Sequence, residues 1–247
     1  MTEVIDRPEV TSPAGRVDTW LARFEEALTA RDVDRAADMF ATTSFWRDLI
    51  SFTWNIRTVE NPDGVRDLLG QTLESTDPRG WRTTEEPTEE DGITTAWLEF
   101  ETAVGRGRGL LRLQDDGGTS KAFTLLTSLY ELTGHEEPRG PRRPMGAEHG
   151  VRRQRLTWLE RRQKEEAELG YTRQPYVLVV GGGQAGIALG ARLRQLDVPT
   201  IVIDRHARPG DQWRGRYSSL CLHDPVWYDH LPYLKFPANW PVFAPKD

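Results

Sequence analysis

The amino-acid sequence predicts an α+β domain followed by a shorter α/β segment. In the first half, apolar residues recur at helical spacing in three stretches and at alternating, strand-like spacing in four others. A Pro- and Gly-rich stretch at residues 135–150 interrupts both patterns and is expected to be a linker. After it, a short apolar strand pattern leads into a glycine-rich turn, a helical pattern and a second strand pattern, which is the order of a βαβ unit.

The first domain is expected to span residues 16–134 and to contain three helices, each with an apolar stripe at three- and four-residue steps. The stripes are Val17, Trp20, Leu21, Phe24, Ala27 and Leu28, then Val33, Ala36, Ala37 and Phe40, and then Val65, Leu68, Leu69 and Leu73. Asp32 suits the N-cap of the second helix. Asn61-Pro62 predicts the start of the third, with Asn61 as the cap and Pro62 as the first helical residue. Residues 1–15 contain two prolines and no periodic pattern, so we expect a disordered tail there.

Strand patterns lie between and after these helices. They cover residues 44–56, which form either one strand or two, and residues 93–103, 110–113 and 121–132. The turn residues 115–118 separate the last two patterns. We expect the helices to cover one face of a curved antiparallel sheet. This order of elements resembles the NTF2-like or SnoaL-like cone fold, and the resemblance implies a domain that often encloses a pocket.

Aromatic residues are abundant in this first domain, and they allow two interpretations. They either line a pocket or form an ordinary core, which we favour; they are Trp20, Phe45, Trp46, Phe52, Trp54, Trp81 and Trp97. Catalysis in a pocket needs an acid or base inside it. Asp48 and Tyr130 form no recognisable catalytic arrangement, and the first histidine is His135, at the edge of the domain. We therefore expect homodimerisation or substrate shielding, and disfavour an independent NTF2-like enzyme with a vestigial tail.

Charge and composition exclude several classes of function. The net charge is −6, and residues 1–135 hold 14 Lys or Arg against 25 Asp or Glu, which argues against nucleic-acid binding. A single cysteine, Cys221, excludes a disulfide framework and a Cys-rich metal site, and it is expected to be a packed apolar residue. His206, His223 and His230 lack metal-ligand spacing, so no metal site is expected. Without an apparent signal peptide or transmembrane run, the expected compartment is the cytoplasm, away from membranes.

Residues 151–170 predict a charged connector helix after the linker, ending at Gly170. Three pairs of opposite charge stand four residues apart, which stabilises a helix by tenths of a kcal/mol per pair. The pairs are Arg161/Glu165, Arg162/Glu166 and Lys164/Glu168. The apolar edge of this segment is thin, so we interpret it as a solvated spacer.

Residues 174–247 carry the most specific motif of the chain. A strand pattern at 176–180 runs into a G-x-G-x-x-G turn, a helix, a second strand at 200–203 and then an acidic residue. In a dinucleotide site the glycines permit the tight turn, the approach of the pyrophosphate and close helix packing. The helix start offers N–H groups to phosphates, and the acid accepts a ribose hydroxyl and repels a 2′-phosphate, favouring FAD or NAD. The candidate residues are Gly181, Gly183, Gln184, Ala185, Gly186 and Asp204.

The residues after this motif resemble the flavin-containing monooxygenase superfamily, including the plant indole-pyruvate (YUCCA-type) enzymes. The resembling segments are 210–213, 220–225 and 236–243. The resemblance implies FAD rather than NAD, with Gly210, Gln212 and Trp213 approaching the flavin. Two departures stand out: Asp211 replaces a family glycine, and Asp204 stands where Glu is common.

The resemblance also implies the chemistry. The family reduces FAD with NADPH, binds O₂ at the flavin and transfers one oxygen atom to a small organic substrate. A second G-x-G-x-x-G and the F-x-G-x-x-x-H signature are missing from this sequence, so the NADPH site is not present and no catalytic acid or base is assigned. We expect the N-terminal part of a Rossmann-type FAD-binding domain of such a monooxygenase. The alternative is a catalytically inactive, truncated dinucleotide-binding or oligomerisation protein.

Overall fold

A computed structural model describes residues 12–146, 150 and 155–246 of the chain. The chain divides between Glu136 and Glu137 into two compact units. Across the described ranges, no helix combines the length and the apolar character needed to cross a bilayer.

The described part of the first unit contains three helices: α1 (Pro13–Thr29), α2 (Val33–Ala37) and α3 (Asn61–Thr76). The Ser12 side chain caps α1 by accepting the Gly15 N–H at 3.0 Å, and Pro13 occupies the first turn. Residues 13–15 are therefore helical, and the predicted tail is wrong for them; residues 1–11 lie outside the described ranges. Asp32 caps α2 as predicted, whereas Asn61 does not cap α3 but is its first residue.

Among residues 12–136, seven strands form one sheet. They are β1 (Phe40–Leu49), β2 (Ile56–Glu60), β3 (Arg79–Thr83), β4 (Thr88–Glu90), β5 (Ile93–Glu101), β6 (Gly105–Asp116) and β7 (Thr119–Leu132). The strand order is β2-β1-β7-β6-β5-β3, and β4 pairs with β5. Because β1 and β7 are parallel, the sheet is mixed and the prediction of a purely antiparallel sheet is wrong. A long connection through α3 separates these two strands in sequence and lets the chain return in the same direction.

The interior of the first unit is filled by aromatic side chains. Helix α1 packs against β3 and β5, and α3 packs against β1 and β2. In the described residues of this unit, seven rings are buried between these layers: Trp20, Phe24, Phe40, Trp46, Phe52, Trp81 and Phe100. Trp20 stacks on Phe24 at 4.6 Å between ring centroids, and Trp81 stacks on Phe100 at 4.3 Å. The core interpretation is confirmed for Trp20, Trp46, Phe52 and Trp81, whereas Phe45, Trp54 and Trp97 are exposed on the surface.

Asp48 is a buried structural anchor for the loop that follows β1. Its carboxylate is fully buried and accepts the backbone N–H groups of Ser51, Phe52 and Thr53 at 2.9–3.1 Å. The Thr127 hydroxyl on β7 also donates to Asp48, at 3.0 Å. With its oxygens committed to the loop and to β7, Asp48 serves the fold.

The second unit contains a βαβ arrangement. Its elements are a 3₁₀ turn (Gly140–Arg142), α4 (Trp158–Glu168), β8 (Val177–Val180), α5 (Gln184–Gln195), β9 (Thr200–Ile203) and α6 (Asp211–Arg214). Strands β8 and β9 are parallel. Val179, on the face of β8 that α5 covers, is buried, whereas Leu178 and Val180 on the opposite face are exposed.

Helix α4 is shorter than the predicted helix over 151–170. Residues 151–154 lie outside the described ranges, and a capping box between Thr157 and Glu160 starts α4 at Trp158. The predicted pairs Arg162/Glu166 and Lys164/Glu168 are present at 3.9 and 3.7 Å. The predicted pair Arg161/Glu165 is wrong. Glu165 instead binds Arg194 of α5 at 3.0 Å, and the Arg161 guanidinium lies 5.6 Å from the centre of the Trp158 ring.

Candidate functional site

The glycine turn joins the end of β8 to the start of α5. Gly181 has a φ of +113°, a conformation that favours glycine, and its N–H donates to the Ile203 carbonyl of β9 at 2.8 Å. Gly183 is the N-cap of α5. Because β8 and β9 are parallel and in register, their carboxyl ends meet at one edge, which brings this turn beside Asp204.

Gly186 allows α5 to lie directly against the turn. A Cβ at this position would overlap the carbonyl oxygen of Gly181 and would stand 3.4 Å from the Val179 side chain. One helical turn further on, a Cβ at Gly190 would lie 3.0 Å from Val202 of β9. The helix therefore approaches the strands more closely than a side chain permits, as the predicted role of the third glycine requires.

No side chain of the described residues caps the start of α5, so its first backbone N–H groups are not hydrogen-bonded to a capping side chain. Gln184 and Ala185 are its first two residues. In a helix of this length, the first N–H groups lack partners within the helix and carry a partial positive charge. Such an end is suited to an anion like a phosphate.

Asp204 stands at the edge of the sheet immediately after β9. One carboxylate oxygen, Oδ2, accepts the Gly182 N–H at 2.7 Å, and Oδ1 accepts the His206 N–H at 2.7 Å. These bonds, led by the one from the backbone of His206, lower the pKa of Asp204 from 3.8 to about 2. The carboxylate is therefore ionised, and it joins the glycine turn to the loop after β9.

An open cleft of about 1020 Å³ brings five of the nine predicted residues together. The cleft is lined by Val180, Gly181, Gln184, Ile203, Asp204, Arg205, His206, Asp211, Gln212, Trp213, Gly215 and Arg216. A neighbouring depression of about 410 Å³ is lined by Gly183, Ala185 and Gly186, together with Val179, Val180, Gly181 and Leu189. Gly210 is the N-cap of α6 and precedes the lining residue Asp211.

The α6 turn holds Gln212 and Trp213 at the cleft. Gly210 has a φ of +85°, and the Asp211 carboxylate accepts Arg208 Nε at 2.9 Å and an Arg214 nitrogen at 2.8 Å. The bond from Arg208 is the main cause of a lowered pKa for Asp211. Asp211 thus braces this turn with two arginines at the position where the resembling family has a glycine.

Residues within and next to the two downstream segments, 220–225 and 236–243, pair with each other. The Leu222 N–H donates to the Ala244 carbonyl at 2.9 Å, and the Val226 N–H donates to the Val242 carbonyl at 2.9 Å. Cys221 lies in this pairing but is exposed, so the prediction of a packed cysteine is wrong: its neighbour Leu220 is the buried residue.

Sequence reasoning missed two features of this unit. His206 lines the cleft and contacts Asp204 through its ring, and the only signal was its position two residues after the acid, a spacing typical of local turns. Glu137 is buried and binds Arg192 of α5 at 2.8 Å as well as the Tyr233 hydroxyl and the Arg139 guanidinium. Nothing in the local sequence of Glu137 marks these distant partners.

No family model matches the chain. Curated relatives are similar to part of it. An uncharacterized CzcO-like oxidoreductase of Geobacillus kaustophilus is 38% identical over 71 residues, which are 29% of this chain and 20% of the relative. Indole-3-pyruvate monooxygenase YUCCA4 of Oryza sativa subsp. japonica is 39% identical over 74 residues (30% of this chain and 17% of the relative), and the uncharacterized oxidoreductase CzcO of Bacillus subtilis is 42% identical over 55 residues (22% and 16%). The chain spans a fifth or less of the length of these relatives. Over this segment it is similar to proteins named as oxidoreductases and monooxygenases.

Solved structures with some likeness include a ketosteroid isomerase-like protein from Erwinia carotovora atroseptica (TM-score 0.42, 8% identity, 49% of this chain and 98% of that one). Another is an NTF2-like protein with a cystatin-like fold from Novosphingobium aromaticivorans (TM-score 0.35, 9% identity, 46% and 79%). Because these TM-scores are low, the description of the first unit's fold depends on its own strand order.

Proposed function

We propose that the second unit binds FAD through its adenosine-diphosphate half, as part of an NADPH-dependent flavoprotein monooxygenase. The observation that carries the proposal is the glycine turn, in which Gly186 lies against Gly181 while Asp204 stands at the adjoining sheet edge. The partial similarity to oxidoreductases and monooxygenases supports the same class. The βαβ arrangement is interpreted as the first part of a Rossmann-type domain.

The residues present fit this cofactor. The pyrophosphate is assigned to Gly181 and Gly183 together with the helix start formed by Gln184, Ala185 and Gly186. A ribose hydroxyl is assigned to Asp204, whose ionised carboxylate also disfavours a 2′-phosphate. Gln212 and Trp213, held by the Gly210 turn, line the same cleft and are assigned to the flavin side.

Bound FAD would supply the redox chemistry for inserting one oxygen atom of O₂ into a small organic substrate, with NADPH as reductant. The described residues of this chain supply binding and orientation. The alternative function, an inactive dinucleotide-binding or oligomerisation protein, shares the same binding site and differs only in lacking turnover.

A competition experiment tests the binding proposal. We expect the purified chain to bind FAD, detected by a change in flavin fluorescence, and we expect ADP to displace it because both ligands share the adenosine half. FMN, which keeps the flavin but lacks the adenosine half, is the matched control and should compete much more weakly than ADP. Absence of FAD binding, or displacement by FMN instead of ADP, would overturn the proposal.

We also propose that the first unit has an NTF2-like cone fold and pairs with a second copy of the chain. Its outer sheet face presents an apolar row made by cross-strand neighbours, in which Leu110 stands opposite both Trp97 and Leu126. Trp97 is half exposed, and Arg108 and Glu99 flank the row with opposite charges. A patch that carries both charge signs can be complementary to itself, as a two-fold dimer requires.

A further inference from the structure

His206 makes two hydrogen bonds to the same oxygen of Asp204. Its backbone N–H and its ring nitrogen Nδ1 each lie 2.7 Å from Oδ1 of the carboxylate. The other oxygen, Oδ2, accepts the Gly182 N–H. The His206 side chain is 31% exposed, and the residue lines the cleft assigned above to the cofactor.

These contacts limit what Asp204 can still accept. Each carboxylate oxygen offers two lone-pair positions. His206 fills both positions of Oδ1, and Gly182 fills one of Oδ2, so one acceptor position remains. An adenosine ribose carries two neighbouring hydroxyl groups, and Asp204 can satisfy only one of them.

The same geometry fixes which ring nitrogen of a neutral His206 carries the proton. Because Asp204 is ionised, its oxygens only accept, and the proton of the shared bond must lie on Nδ1. In a neutral imidazole, the second nitrogen, Nε2, is then a hydrogen-bond acceptor. No described residue donates a hydrogen bond to Nε2.

We propose that His206 is a second ribose-binding residue: Asp204 Oδ2 accepts one hydroxyl of the adenosine ribose and His206 Nε2 accepts the other. This inference rests on the proposed function and extends it, since it divides ribose recognition between two side chains. The neighbouring Arg205 and Arg216 also line the cleft, but guanidinium groups only donate and cannot replace the second acceptor.

The test measures binding of ADP, 2′-deoxy-ADP and 3′-deoxy-ADP to the full chain by calorimetry. We expect each deoxy analogue to bind the wild-type chain about fivefold more weakly than ADP, because each loses one hydrogen bond. His206→Asn keeps an amide N–H that can donate to Asp204 but removes Nε2. This variant should bind ADP about fivefold more weakly and should lose its sensitivity to one hydroxyl while keeping its sensitivity to the other.

His135→Asn, at an exposed histidine of the first unit, is the control and should leave all three affinities unchanged. Full sensitivity to both hydroxyls in His206→Asn would overturn the assignment, because Asp204 would then accept both. A wild-type chain that binds ADP but discriminates against only one analogue, or neither, overturns it without any variant. A wild-type chain that binds neither ADP nor FAD overturns the proposed function itself, and this assignment with it.

Discussion

The carbonyl oxygen of Gly181 occupies the space in which a side chain of residue 186 would begin. The first turn of α5 can approach the end of β8 only because residue 186 has no Cβ. This contact positions the N–H groups of the helix start beside the ionised Asp204, so the geometry of the candidate site depends on it.

Gly186→Ala should therefore damage both stability and binding. Relieving the overlap requires α5 to move away from the turn, and such overpacking costs about 1–3 kcal/mol. We expect a lower urea midpoint for the unfolding of the second unit and at least tenfold weaker ADP binding. Gly70→Ala is the matched control, because a Cβ there meets no atom within 4 Å and an exposed helical glycine gains about 0.5–1 kcal/mol on this change. Equal behaviour of the two variants would contradict the packing role of Gly186.

The lowered pKa of Asp204 gives a pH prediction with a definite sign. Because the folded value is about 2 and the ordinary value is 3.8, ionised Asp204 stabilises the turn above pH 4. That contribution is lost as the pH falls from about 4 towards 2. Carbon-13 NMR of the side-chain carboxyl should show Asp204 still mainly ionised at pH 3. In His206→Ala the titration midpoint of Asp204 should rise only partly, because the backbone N–H of residue 206 remains and is the main cause of the lowered pKa. A midpoint near the ordinary 3.8 in the wild-type chain would contradict this account.

Asp48 is expected to matter for stability and not for ligand binding. In Asp48→Asn, an NH₂ group replaces one of the two carboxylate oxygens, which in the wild-type chain accept backbone and hydroxyl donors. The donors that lose this acceptor are left unsatisfied, which costs about 1–3 kcal/mol of stability. Asp38→Asn is the control, since Asp38 is exposed and its nearest contact with Arg66 is 3.9 Å, so stability should change by less than about 0.5 kcal/mol. Thermal unfolding and ADP titration would measure both effects. A loss of ADP affinity in Asp48→Asn without a loss of stability would contradict the structural role.

Arg192 and Tyr233 both bind the buried Glu137 carboxylate, and the three side chains are expected to stabilise the second unit as one network. Burial alone would raise the pKa of Glu137, but the Tyr233 hydroxyl and the two arginines outweigh it and lower the value. Ionised Glu137 therefore contributes to the stability of the folded chain above pH 4.5, and this contribution is lost as the pH falls below that value. Tyr233→Phe should cost about 0.5–1.5 kcal/mol, and less when Glu137 is already Gln, because the two residues share a hydrogen bond.

Tyr228→Phe is the control for this network, since Tyr228 is 73% exposed and its loss of a hydroxyl should change stability by less than about 0.5 kcal/mol. Urea unfolding of the two single variants and of the double variant provides the measurement. Strictly additive effects of Tyr233→Phe and Glu137→Gln would show that the two side chains act independently.

Local patterns in the sequence predicted the features that depend on near neighbours. The stripes of α1 and α3, the Asp32 cap and the turn between β6 and β7 follow from propensity and spacing, and the structure confirms them. Strand β4, with the sequence Thr88–Glu90, has no apolar residue and forms only because β5 offers an edge to pair with. Patterning cannot reveal a strand of this kind.

Features that join distant residues were not predictable. The parallel pairing of β1 with β7 depends on how the chain crosses the sheet, and either direction is compatible with alternating burial. Glu137 meets Arg192 and Tyr233 across 55 and 96 residues, and no spacing rule spans such distances. The glycine motif was readable because its chemistry is contained in one turn. His206 was not, because its role depends on which way its ring points.

The apolar row on the outer sheet face leads to a prediction of oligomeric state. Trp97, Leu110 and Leu126 are cross-strand neighbours, and Trp97 is half exposed. Removing the rest of this apolar surface from water is favourable, and this requires a second surface that covers it. We expect the chain to sediment as a dimer, and Trp97→Lys to shift it to a monomer, because a dimer would place two such charges in a desolvated contact. Trp54→Lys is the control: Trp54 is 63% exposed in the loop between β1 and β2, away from the row, so the dimer should persist. A wild-type chain that remains monomeric throughout a concentration series in analytical ultracentrifugation would refute the dimer, and a Trp97→Lys variant that remains dimeric would place the interface elsewhere.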